Sequence, residues 1–158
     1  MTSLQRPTTS HQQLYNADFA QWITQATLLL QQGKFDELDI ENLIEEVEDL
    51  GKRDRRALCS NLEIVLLHLL KWQFQPEQRS ASWRGSIREH RRRIARILKD
   101  SPSLNAYLQQ EYEDCYTGAR LQAADETGLP INIFPEMCPY LIESALDAEF
   151  LPSNVEQG

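Results

Sequence analysis

Two groups of residues have types and spacings that could do chemistry. The first is His68 with the carboxylates Glu41 and Glu45. An imidazole joined to two or three carboxylates inside a helical bundle is a metal site or an acid–base pair. The second is the row Arg84, Arg88, Arg92, Arg96 and Lys99. Guanidinium groups about one helical turn apart repel one another, and their planar forks suit carboxylate or phosphate.

Other arrangements exclude themselves. The three histidines, His11, His68 and His90, form neither His-x-x-x-His nor His-Glu-x-x-His. The residues three before His68 and His90 are Val65 and Ile87, so the Glu-x-x-His of di-iron bundles is absent. Cys59, Cys115 and Cys138 have no zinc or disulfide spacing. No glycine-rich phosphate loop and no Gly-x-Ser-x-Gly occurs. Nothing reaches a catalytic signature, and no cofactor is implied. His68 reads as a core histidine with a hydrogen-bond partner, His90 as a boundary residue, and Trp22, Trp72 and Trp83 as packing residues.

The elements that must position these groups read as helices. Phe19, Trp22, Ile23, Ala26 and Leu30 recur at three and four, predicting a helix from about Tyr15 to Gln32, stopped by Gly33. Asp39 is an N-cap for a second helix with Ile40, Leu43, Ile44, Val47 and Leu50 on one stripe, which Gly51 ends or bends. A third, from about Asp54 to Phe74, is apolar nearly all round and belongs in the middle of a core. The fourth spans about Ser82 to Lys99. The fifth opens at Ser101–Pro102 and ends before Gly128. A proline-punctuated tail follows, with a short helix from Pro139 to Glu149 and a hint of extended chain at Ile131–Ile133. The expected fold is all-α: a compact bundle of about five main helices around the central apolar one. Residues 1–14 read as a flexible N-terminus, 15–152 as a single helical domain and 153–158 as a tail.

Asp39-Ile-Glu-Asn-Leu-Ile-Glu-Glu-Val-Glu-Asp-Leu-Gly51, then Leu67-His-Leu-Leu-Lys-Trp-Gln73, Ser82-Trp-Arg84 and Arg91-Arg-Arg93, together with Asn132-Ile-Phe-Pro135 and Cys138–Pro139, carry a resemblance. The chain resembles, from about Tyr15 to Pro152, the bacterial family catalogued as domain of unknown function number twenty-nine. That resemblance implies an all-helical fold and no activity.

Composition narrows the function classes. The chain has 158 residues, 41% hydrophobic and 25% charged, with no apolar run near the ~20 residues a membrane span needs. No secretory leader is read at the N-terminus, so a reducing, cytoplasmic setting is expected. The net charge of −8 is laid out in blocks. Asp36 to Asp49 holds eight acids and no base, whereas Arg79 to Lys99 holds eight bases against Glu89. Three functions follow. The first is a protein-interaction module in which acidic and basic helices pair, within one chain or between two copies. The second is nucleic-acid or polyanion binding through Arg84, Arg88, Arg92, Arg96 and Lys99. The third is a metal-dependent or acid–base enzyme centred on His68 with Glu41 or Glu45.

Overall fold

A computed structural model describes residues 10–155. Six α-helices account for most of the chain, and no strand occurs among the described residues, so the all-α expectation holds. They are α1 (His11–Ala17), α2 (Phe19–Gln31), α3 (Ile40–Phe74), α4 (Ala81–Asp100), α5 (Leu104–Thr127) and α6 (Ile142–Leu146). They belong to two compact units, Met1–Gly51 and Lys52–Gly158. Of the N-terminal stretch expected to be flexible, residues 1–9 lie outside the described residues, whereas Ser10 onward is ordered into α1.

Several boundaries differ from expectation. The helix expected over Tyr15–Gln32 is two helices. Ser10 opens α1 with a capping box: its hydroxyl accepts from Gln13 N–H, and the Gln13 side chain accepts from Ser10 N–H. Asp18 then leaves helical geometry and caps α2, its carboxylate accepting from Gln21 N–H at 3.1 Å. Conversely, the two helices expected on either side of Gly51 are one, the 35-residue α3. Gly51 is not among the positive-φ glycines, so it does not end the helix. Its cost is only about 1 kcal/mol relative to alanine. Glu48 with Lys52 and Asp49 with Arg53 stand at the acid-before-base i, i+4 spacing that favours continuation. Gly33 (φ 69°) and Gly128 (φ 70°) do adopt the left-handed conformation and close α2 and α5, as their positions suggested.

In the first unit, Ala26, Leu29 and Leu38 form a small core, with Leu43 packed against it. Trp22 is buried beside His11, their rings stacked at 5.1 Å. In the second unit, the C-terminal half of α3 is the centre of the core. Leu58, Leu62, Val65, Leu66, Leu67, Leu69 and Leu70 are buried there. α4 contributes Ile87 and Ile94, and α5 contributes Leu108, Tyr112, Tyr116, Ala119 and Ala123.

The proline-rich tail packs on that core through side-chain donors aimed at its carbonyls. Tyr112 Oη donates to Tyr140 O at 2.8 Å, Arg120 Nε to Phe134 O at 3.1 Å, and Tyr116 Oη to Pro135 O. A segment without a helix or sheet ladder needs such partners for its backbone. α6 is shorter than the helix expected over Pro139–Glu149, and Ile131–Ile133 is a 3-10 turn rather than extended chain. Ser101 closes α4 instead of opening α5, because its N–H is taken by Ile97 O at 2.8 Å.

Candidate functional site

In the first unit, a buried polar network fixes where α3 starts. The indole N–H of Trp22 donates to Asp39 Oδ2 at 3.0 Å. The backbone N–H of Asp39 donates to His11 Nδ1 at 2.9 Å, and His11 Nε2 donates to Trp22 O at 2.9 Å. Both ring nitrogens are therefore committed, one as donor and one as acceptor. Asp39 also accepts from the Asn42 side chain at 2.7 Å, and its Oδ1 accepts from the Asn42 backbone N–H at 3.5 Å at the start of α3. Tyr15 Oη donates to Glu46 at 2.6 Å, and that bond to a carboxylate pushes the phenol up to about 12.

The apolar stripe expected on the second helix is exposed at four of its five positions. Ile40, Ile44, Val47 and Leu50 are 46, 54, 60 and 56% exposed; only Leu43 turns inward. Spacings of four, three and three put these four residues on one side of the helix. Exposed Glu41, Glu45 and Glu48 each stand next to a stripe residue. α2 and the turn after it add Phe19, Ile23, Leu28, Leu30 and Phe35 to the exposed large apolar residues. Residues 1–51 carry nine acids against two bases, whereas residues 52–158 carry fifteen against fourteen.

In the second unit, α4 presents the arginine row. Arg84, Arg88, Arg92, Arg96 and Lys99 are all exposed. Glu89 pairs with Arg92 at 2.9 Å and Arg93 at 3.0 Å, and these guanidiniums hold its carboxyl down at about 2. Among the described residues, Arg84, Arg88, Arg96 and Lys99 make no ion pair. Arg84 does lie over the Trp72 ring, 5.5 Å from its centroid.

Arg91 turns inward from the same helix. Its Nε donates to Ala145 O at 2.8 Å and its Nη2 to Phe150 O at 2.9 Å and Ser144 O at 3.4 Å. Burial lowers its pKa, against Asp147 and Glu149.

His68 is a half-buried helix residue whose Nδ1 donates to Ile64 O at 2.8 Å. Burial, followed by the nearby Lys71 and His90 charges, lowers its pKa; the bond to Ile64 and the Glu126 carboxylate act the other way. Glu45 and Glu41 stand 23 and 27 residues earlier in the sequence. Among the described residues, no group of three or more His, Cys, Asp or Glu is arranged to hold a metal ion. His90 is likewise engaged with its own helix, its Nδ1 donating to Ser86 O at 2.7 Å. Trp22 and Trp72 are buried as expected; Trp83 is half-buried under the Lys71 ammonium, 4.7 Å from the ring centroid.

One comparison with known proteins finds a match. The family model described as domain of unknown function DUF29 covers residues 14–151. The chain belongs to the DUF29 family. No curated protein and no solved structure matches it. No helix of this DUF29 chain, among the described residues, is long and apolar enough to cross a membrane.

Two features were missed by sequence reasoning. The position of Arg91 between Ile87 and Ile94 on the apolar face signals its burial among the basic residues of its helix. The capping pair Ser10 and Gln13 is the signal in the sequence that α1 starts before Tyr15 and includes His11.

Proposed function

We propose that this DUF29 protein is an interaction module whose first unit captures a basic, amphipathic helical segment of another protein. The exposed stripe Ile40, Ile44, Val47 and Leu50 carries the reading. Single exposed apolar residues are ordinary, but four on one helix face are the anchors of helix-in-groove recognition. Their acidic neighbours, Glu41, Glu45 and Glu48, select lysine and arginine at the borders of the partner's apolar stripe. The chain's own basic helix is a poor candidate for that partner, even from a second copy. α4 spends Ile87 and Ile94 in the core of its own unit and presents charge without apolar anchors.

The test is a fluorescence-anisotropy titration with two labelled peptides of the same helical pattern, one leucine/lysine and one leucine/glutamate. Binding of the basic peptide that falls at least tenfold in Ile44→Ser/Val47→Ser, a variant of unchanged charge, is the expected result. Equal affinity of that variant would reduce the surface to charge alone and refute the reading.

A second reading concerns α4. Four cations of the row, Arg84, Arg88, Arg96 and Lys99, lack an ion pair among the described residues and are open to a polyanion. It predicts oligonucleotide binding that weakens steeply with salt and is lost in Arg88→Ala/Arg96→Ala. Undiminished binding by that variant would remove α4 from consideration.

A further inference from the structure

We infer that the cavity at the N-terminal half of α4 is a phosphoryl-binding subsite for a small phosphate monoester. The cavity measures about 210 Å³ and is lined by Arg84, Arg88 and the buried Arg91, by the apolar Ile87 and Leu151, and by Glu149. Arg91 makes its hydrogen bonds to backbone carbonyls, with the Asp147 and Glu149 carboxylates nearby. Its recorded partners are Ala145 O, Ser144 O and Phe150 O, and it makes no ion pair among the described residues. A buried guanidinium with no direct ion pair among the described residues raises the local positive potential, although Asp147 and Glu149 lie near it, and Arg84 and Arg88 add two cations one turn apart in the lining.

Charge and shape select the ligand. A phosphate monoester carries about −1.5 to −2 at neutral pH and three acceptor oxygens, which matches the two exposed guanidiniums and their forked donors. A carboxylate offers one charge and two oxygens. The volume lies below the roughly 300–1,000 Å³ of sites for drug-sized ligands, so the cavity admits a phosphoryl group with only a short carbon portion. Ile87 and Leu151 face that carbon portion. Glu149 is the one carboxylate in the lining; it weakens bare phosphate and accepts a hydroxyl of a polyol phosphate.

The subsite does not rest on the reading of the first unit, because its residues all lie in the second. It shares Arg84 and Arg88 with the polyanion reading, and the experiment separates the two. Isothermal titration of the full chain with inorganic phosphate, then glycerol 3-phosphate, then a single-stranded oligonucleotide gives the expected order of affinity: ester, then phosphate. Arg84→Gln and Arg88→Gln each weaken the ester about tenfold without moving the thermal midpoint, since both side chains are exposed. Glu149→Gln tightens inorganic phosphate several-fold, a gain that a merely structural residue would not produce. Absence of heat with either phosphate compound at millimolar concentration overturns the proposal. Oligonucleotide binding that glycerol 3-phosphate does not displace assigns the arginines to a polyanion backbone and overturns it equally.

Discussion

The two units of this chain spend their apolar residues in opposite ways. In residues 52–158, the α3 leucines from Leu58 to Leu70 disappear into a core shared with α4, α5 and the tail. In residues 1–51, nine large apolar side chains stay exposed, while the buried cluster is Ala26, Leu29 and Leu38 beside Trp22. Both halves of α3 carry leucine, isoleucine and valine at helical spacing, so hydrophobic pattern alone does not separate them. What separates them is what surrounds the helix. Among the described residues of the first unit, Ile44 and Val47 stay exposed, and the His11–Trp22–Asp39 hydrogen bonds tie its elements together. A network of that kind places helices without burying much surface, and leaves a face available to a partner.

The comparison can be broken at several levels. Leu66→Ala has the largest expected effect: a fully buried leucine in the second unit costs about 2–5 kcal/mol, read as a lowered urea midpoint. A midpoint near that of the wild type would contradict the central place of α3. Next comes Asp39→Ala, which leaves the Trp22 indole N–H without its acceptor and costs about 1–3 kcal/mol. Hydrogen exchange should quicken over residues 11–43 and stay unchanged over residues 62–70; equal acceleration in both would show that the units are not distinct in stability.

The His68 effect is smaller. Its folded pKa is lowered by burial, so the unfolded chain takes up the proton first as pH falls through about 6.5. Stability from this group is complete above that value and declines below it. Denaturation midpoints between about pH 5 and 7.5 should rise with pH in the wild type and rise less in His68→Gln. Glu63, whose carboxyl is raised by burial, gives the opposite slope at lower pH, and the difference between the two proteins removes it. Identical profiles would place His68 in water. The smallest expected effect is that of Ile44→Ser/Val47→Ser on stability, within about 0.5 kcal/mol because both side chains are exposed. A loss of about 1.5–3 kcal/mol or more, the range for a fully buried apolar side chain, would mean that the stripe is already covered.

Much of the architecture was legible in the residues. The apolar run from Leu58 to Trp72 marked the core helix, and Gly33 and Gly128 marked two helix ends through the left-handed conformation that glycine alone adopts cheaply. Gly51 misled because the same residue inside a helix is merely unfavourable, and α3 continues past it. Asp18 misled in the other direction, its capping bond to Gln21 breaking a pattern that looked continuous. The arginine row was visible as a row, but the inward turn of Arg91 and its carbonyl partners required the tail, whose placement depends on contacts some fifty residues away. Exposure of the apolar stripe Ile40, Ile44, Val47 and Leu50 was not legible at all. An amphipathic pattern states that a face wants cover, and it is silent on whether the chain itself supplies it.

Hydrogen exchange of the full chain with and without the basic leucine/lysine peptide is the most direct test. The account predicts new protection over residues 40–50 at saturating peptide, with residues 81–100 unchanged. Protection confined to residues 81–100, or none anywhere at concentrations where the peptide binds, would contradict it.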